Sequence, residues 1–229
     1  SAESRSVLES SLSELGYGLE EIERVVVTHY HRDHMGQVES IRRVAGSLEV
    51  CAHENSVPML EGFSSERDAN IAGTSALFRE YGVPDDVLER MDERRWEQLR
   101  TQSALAEPTR VDRSLRDGES IAFKDFALEV IHAPGHTAGD ILLHHAESSV
   151  LLSGDHILGH AVPNTENYYL EGLPDPRDPL RRRPRFKGLL MYRNSLRALR
   201  RRSFRIILPA FGGVIGAGNR AIRDALLYY

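Results

Sequence analysis

The chain has 229 residues, 41% of them hydrophobic and 28% charged, with a formal net charge of −5. That is the balance of an ordinary globular protein in water, long enough for one well-buried domain. No apolar run approaches the roughly 18–20 residues that span a bilayer, and no charged-then-apolar leader opens the chain, so no membrane partner and a cytoplasmic location are expected. The acidic balance argues against general nucleic-acid affinity. Cys51 is the single cysteine; it excludes an internal disulfide, suits a reducing compartment and reads as a small apolar residue of a buried strand.

Residues 4–15 read as an amphipathic helix with Gly16 as its C-cap. Arg24 to Thr28 contains Val25-Val26-Val27 and predicts a buried strand. A helix over 37–45 ends at Gly46, and Leu48 to Ala52 is a second strand. From about 54 to 105 the pattern is helical and highly charged, with helices over 66–81 and 84–99. Pro84-Asp85-Asp86 opens the second of these with carboxylates at the favourable end of its dipole. Trp96 reads either as packing this segment onto the body or as stacking on a ligand.

Strands return at 119–122, 126–132, 140–145 and 149–153. Pro163, Pro174, Pro176, Pro179 and Pro184 make 161–186 a long loop. A helix over 187–202, a strand over 204–208 and a last helix over 219–228 complete the chain. Lys124 and Lys187 are the only lysines, and arginines gather at Arg181, Arg182, Arg183 and Arg185, then at Arg200, Arg201, Arg202 and Arg205. Two readings stand: a rim that attracts an anionic or carrier-linked substrate, or a solvated helix face. The whole predicts one α/β layered domain over 1–229 with a helical insertion at about 54–105.

The chemistry is concentrated in His29-Tyr30-His31-Arg32-Asp33-His34, directly after the first strand. Alternate residues of extended backbone project to one side, so His29 and His31 can reach one ion. Asp33 and His34 follow a turn and can face a second ion. Imidazole and carboxylate are the donors that zinc and iron sites use. His136 lies in Ala133-Pro134-Gly135-His136-Thr137-Ala138-Gly139-Asp140, a tight turn after a strand, and Asp155 in Ser153-Gly154-Asp155 follows another. Groups at the C-terminal ends of adjacent strands can converge on one crevice. His132 and His156 are candidates for orienting the ligands, whereas His53, His144, His145 and His160 read as strand or surface residues.

These three motifs resemble the successive metal-binding motifs of the metallo-β-lactamase fold superfamily, and within it the glyoxalase-II-like hydrolases. The resemblance runs from about residue 10 to the C-terminus. It implies a four-layer αββα sandwich with the active site along one edge of the sheets. It also implies that His29, His31 and His136 bind a first metal, that Asp33 and His34 bind a second, and that Asp155 bridges both. Two departures stand out. The family places a further histidine in a Pro-Gly-His-Gly turn after a late strand, where Leu208-Pro209-Ala210-Phe211-Gly212-Gly213 here has Phe211. Only 28 residues precede His29, so either the fold is short at its N-terminus or a leading segment precedes Ser1. The first sheet would then need cover from elsewhere, a partner chain in a homo-oligomer included.

The expected activity is metal-dependent hydrolysis, a metal-bound hydroxide acting on a small-molecule ester, thioester or lactone. The cofactor is Zn2+, one or two ions, with iron or manganese as substitutes. Asp33 and Asp155 are the expected catalytic carboxylates, Asp33 as general base on water where one ion is bound. One alternative is a mononuclear iron dioxygenase acting on a sulfur compound through His29, His136 and Asp155. Another is a degenerate, non-enzymatic binding member of the superfamily.

Overall fold

A computed structural model describes residues 2–62, 73–103, 106–169 and 184–228, without the side chains of 95, 96, 98–103 and 169. The chain divides into two compact units, Ser1–Ala52 with Val57–Ser114, and His53–Ser56 with Leu115–Tyr229. Each unit holds its own core.

In the first unit, helix α1 (Ala2–Glu14) buries no residue completely and lays Leu8 and Leu12 against the core. Strand β1 (Arg24–Val27) pairs in parallel with β2 (Glu49–His53), Val25 opposite Val50 and Val27 opposite Ala52. Parallel strands require a crossover; here α2 (Arg32–Met35) and α3 (Val38–Arg42) lie between them in the chain. Met35, Val38 and Ile41 from these helices share one core with Val27, Val50 and Ala52. Strand β3 (Arg113–Leu115) completes a sheet of order β1-β2-β3. The Asp112 carboxylate fastens its entry, accepting the Val50 N–H at 3.0 Å and an Arg42 N–H at 2.9 Å. Burial works against that charge, but the Val50 and Arg42 hydrogen bonds hold the group below its ordinary value. Cys51 is fully buried in β2, as expected, and burial, reinforced by Glu49, pushes its thiol up to about 11.

The charged stretch beyond β2 is helical, with α4 (Val57–Glu61), α5 (73–80) and α6 (Asp85–Ser103). Residues 66–72 of the expected helix, the Trp96 side chain and Arg181, Arg182 and Arg183 lie outside the described residues.

The second unit is built on β4 (Ser120–Ala122), β5 (Ala127–His132), β6 (Ile141–His145) and β7 (Val150–Gly154), antiparallel in sequence. Beyond them, β10 (Ile206–Pro209) pairs in parallel with β7. Ile131, Leu142, Leu151 and Ile207 of this sheet form the core with Tyr192, Leu196 and Leu199 of α7 (Gly188–Leu199) and Ile222 of α8 (Gly218–Tyr228). Of the stretch expected as one loop over 161–186, residues 170–183 lie outside the described residues, and its two flanks contain paired structure. Strands β8 (Asn167–Tyr169) and β9 (Arg185–Lys187) run antiparallel, with Tyr168 opposite Phe186. Three-residue strands are too short to print a period in the sequence, and prolines just outside them dominate the local signal.

Arg202, within the second arginine cluster, is partly buried and ion-pairs with Glu129, which also lies 3.4 Å from His144 Nδ1. The Arg202 hydrogen bond, more than any other influence, holds Glu129 below the ordinary carboxylate value. This arginine is a structural partner; Arg200, Arg201 and Arg205 are exposed.

His53 and His132 are stacked, ring centres 3.8 Å apart and planes 13° from parallel. His53 Nδ1 accepts the Asn55 N–H at 3.1 Å. Burial first, and the neighbouring His132 second, pull His53 down to about 4. Among the described residues no helix is long and apolar enough to cross a membrane.

Two outcomes are expected. At Gly188 an added Cβ would fall on the Glu166 carbonyl oxygen and 2.7 Å from that of Gly135. Both are backbone atoms with no freedom to swing aside, so Gly188→Ala destabilises by about 1–3 kcal/mol. Gly213→Ala, where a Cβ meets open space, is the near-neutral control, with urea midpoints as the measure. His53 is neutral in the fold because its folded value is depressed. Its contribution is therefore complete above about 6.5 and is lost as pH falls toward about 4, to a limit of about 3 kcal/mol. The wild type should lose more stability than His53→Gln over that window; parallel losses would remove the role.

Candidate metal centre

In the first unit, the hydrophobic strand β1 delivers the histidine cluster. Val27 ends the strand buried, and His29 follows it at 1% exposure. Its ring lies 4.8 Å from that of His31, edge to face, with Thr28 Oγ1 3.2 Å from His29 Nδ1. His31 keeps an extended backbone, and its carbonyl accepts the N–H groups of His34 at 2.9 Å and Met35 at 3.1 Å. That starts α2 and turns the chain, which brings the His34 ring to 4.0 Å from His29. Asp33, exposed in the same turn, places Oδ2 3.6 Å from His34 Nε2. Tyr30 is buried in the first core with its ring edge to face against His31, centres 5.4 Å apart. The unit thus gathers three imidazoles and one carboxylate within a six-residue stretch.

In the second unit, His136 sits on the loop from β5 to β6 and Asp155 on the loop after β7. His136 Nε2 lies 3.5 Å from Asp155 Oδ2, with both side chains nearly buried. His136 Nδ1 is 2.6 Å from the Asn164 carbonyl oxygen. A carbonyl only accepts, so Nδ1 carries the proton and Nε2 keeps the lone pair that a metal takes. The His136 backbone is held from the same side: its carbonyl accepts the Glu166 N–H at 3.3 Å, and the Glu166 carbonyl accepts the Gly188 N–H at 2.9 Å.

The loop itself is clamped by Asp140, buried and 4% exposed. Its carboxylate accepts the Thr137 N–H at 2.8 Å and the Thr137 hydroxyl at 2.5 Å. Gly135 has φ +156, and a Cβ there would come 2.7 Å from the Tyr192 backbone nitrogen, so glycine lets the loop lie directly on α7. Ser195 of α7 donates its hydroxyl to the Pro134 carbonyl at 2.9 Å, and Tyr192 donates its own to the His156 carbonyl at 2.8 Å.

Of the two histidines expected to orient ligands, His132 supports the loop, its Nε2 3.0 Å from the Ala138 carbonyl; His156 is buried with Nδ1 3.9 Å from Asp140 Oδ2, beyond hydrogen-bonding distance. The group that orients His136 is the Asn164 carbonyl, which no side-chain pattern announces. Asp140 and Thr137 had a legible signal, since they share the glycine-rich turn with His136. Tyr192 and Ser195 had none, because helix spacing alone marks them as core. His53, expected as a strand or surface residue, ends β2 and is buried against His132.

The turn with Phe211 is anchored next to Asp155: the Ala210 N–H donates to the Gly154 carbonyl at 3.0 Å. Phe211 is 44% exposed and offers no donor atom, so the turn beside Asp155 brings no ligand.

The metallo-beta-lactamase superfamily model matches residues 1–210. A probable metallo-hydrolase, YqjP of Bacillus subtilis, is 27% identical over 212 residues, 92% of this chain and 60% of that protein. The acyl-coenzyme A thioesterase MBLAC2 of Gallus gallus is 31% identical over 130 residues, 57% of this chain and 40% of that protein. The chain therefore spans less than two thirds of either relative. Among solved structures, the metallo-beta-lactamase family protein TTHA1429 of Thermus thermophilus superposes with a TM-score of 0.71 at 24% identity, covering 98% of this chain and 66% of that one. That likeness gives the chain the metallo-β-lactamase fold, and the chain belongs to the metallo-beta-lactamase superfamily.

Proposed function

We propose that this chain is a metal-dependent hydrolase of carboxylic esters and thioesters, with His29, His31, His136 and Asp155 as the ligands of one divalent ion. The observation that carries the reading is the His136–Asp155 pair. Two donors on separate loops face one another at 3.5 Å, and the imidazole is committed to the ligating tautomer by Asn164. The donor set fits: imidazoles with a carboxylate are what zinc and iron accept. Thioesters are favoured among substrates by the likeness to an acyl-coenzyme A thioesterase.

When bound, the ion supplies Lewis acidity, lowering the pKa of water and polarising a carbonyl oxygen. The protein's own residues do the rest. Asp140 and α7 hold the His136 loop rigid, so its imidazole needs no reorganisation on binding. Asp33, exposed on α2 beside His34, can take a proton from water at its carboxylate and release it to solvent. Asp33, His34 and Asp155 remain available to a second ion, but Phe211 withholds the further histidine, and that ion is held more weakly.

Protein purified without chelators should carry close to one tightly bound metal per chain by elemental analysis. Asp140→Ala, which releases Thr137, should lower metal affinity about 10- to 100-fold, the usual effect of losing a group that orients a ligand. His136→Ala should lose both the metal and the hydrolysis of p-nitrophenyl and coenzyme A esters. One iron per chain with oxygen consumption and no ester turnover would replace this reading with the dioxygenase one.

A further inference from the structure

The second unit contains a cavity of about 620 Å³ between α8, the segment from Ile157 to Pro163 and the segment from Gly213 to Ala217. We propose that it receives the acyl chain of the substrate, an inference that rests on the hydrolase reading and narrows it to esters and thioesters of medium-length fatty acids. Its size falls within the roughly 300–1,000 Å³ of small-molecule sites.

Most of the lining is apolar and suits an aliphatic occupant. Ile157, Val162, Pro163, Val214, Ile215 and Ala221 supply apolar walls, and His160 and Tyr228 add polar edges. Val162 and Val214 remain 40% and 67% exposed, an apolar rim that water covers at a cost an alkyl chain would relieve. The two opposite charges on the α8 side, Arg220 and Asp224, lie 3.5 Å from one another and are mostly in solvent. They are already matched, so neither provides an unbalanced charge for a carboxylate or phosphate.

The cavity is continuous with the proposed reaction site along the chain. The wall from Ile157 to Pro163 begins two residues after Asp155 and ends one residue before Asn164, whose carbonyl holds His136. The opposite wall begins two residues after Phe211. A single loop therefore carries a proposed ligand at one end and the group that orients another at its far end, with the chain-binding wall between them.

The test separates binding from turnover. Metal-free full-length protein is loaded with the fluorescent fatty acid cis-parinaric acid, and dodecanoate and butanoate are titrated against it. Dodecanoate should displace the probe and butanoate should not. Val214→Asp places a charge at an exposed mouth position that tolerates it, and should weaken dodecanoate at least tenfold. Ala221→Phe, which fills the cavity, should do the same. With the metal-loaded protein, kcat/KM for p-nitrophenyl esters should rise about three- to fourfold per added methylene from butanoate to octanoate, and Val214→Asp should flatten that slope. No displacement by dodecanoate, or equal displacement from wild type and both variants, overturns the assignment. Displacement that both variants weaken, with no turnover of any ester, leaves the chain-binding site standing and removes the hydrolase reading alone.

Discussion

The arrangement on which the second unit's chemistry depends is the grip on the loop from Pro134 to Asp140. A loop carrying a histidine would ordinarily be free to move, because its backbone groups can bond to water as well as to protein. Here Asp140 takes both the N–H and the hydroxyl of Thr137, Ser195 bonds the Pro134 carbonyl, and Gly135 lies flat against α7. The Asn164 carbonyl and the Glu166 N–H then hold His136 by ring and backbone. Each of these bonds is modest. Together they convert a mobile ligand into a fixed one, so the ordering entropy is spent in folding rather than at the metal.

The same principle explains why the two halves of the proposed centre differ. In the first unit the donors are placed by a strand that ends and a one-turn helix that begins, with the His31 carbonyl as the hinge between them. Their positions follow from local backbone geometry and need little support from afar. In the second unit each donor stands on a longer connection, and remote elements must hold it. Phe211 falls in the third such connection, where an aromatic ring replaces a donor. One proposed ion keeps all its partners, while the other loses one.

The segment from Asp155 to Asn164 joins the proposed chemistry to the proposed specificity. It begins at a proposed metal ligand, forms one wall of a largely apolar cavity and ends at the carbonyl that orients His136. Changes in that wall can therefore alter which chain is accepted and how firmly the imidazole is held. The neighbouring histidines have a different task. His53 is kept neutral by burial and by His132, and His132 in turn meets the Ala138 carbonyl, so this pair props the outer side of the His136 loop.

Much of this was legible in residue order. Val25-Val26-Val27 running into His29-Tyr30-His31-Arg32-Asp33-His34 announces a strand that ends in a cluster of candidate ligands, because strand pattern and ligand spacing are both local properties; of the strand, Val27 alone is fully buried. The turns around His136 and Asp155, the missing donor at Phe211 and the burial of Cys51 were readable for the same reason. Strands β3, β8 and β9 were not, since three residues are too few to show a period and their pairing comes from partners far along the chain. Nor did the sequence disclose that Asn164 orients His136, that His53 stacks on His132, or that Tyr192 and Ser195 clamp the loop. These contacts join residues roughly 30 to 80 positions apart, and only a folded chain brings such groups within hydrogen-bonding distance. Spacing along the sequence could name the donors; packing alone decided which groups hold them still.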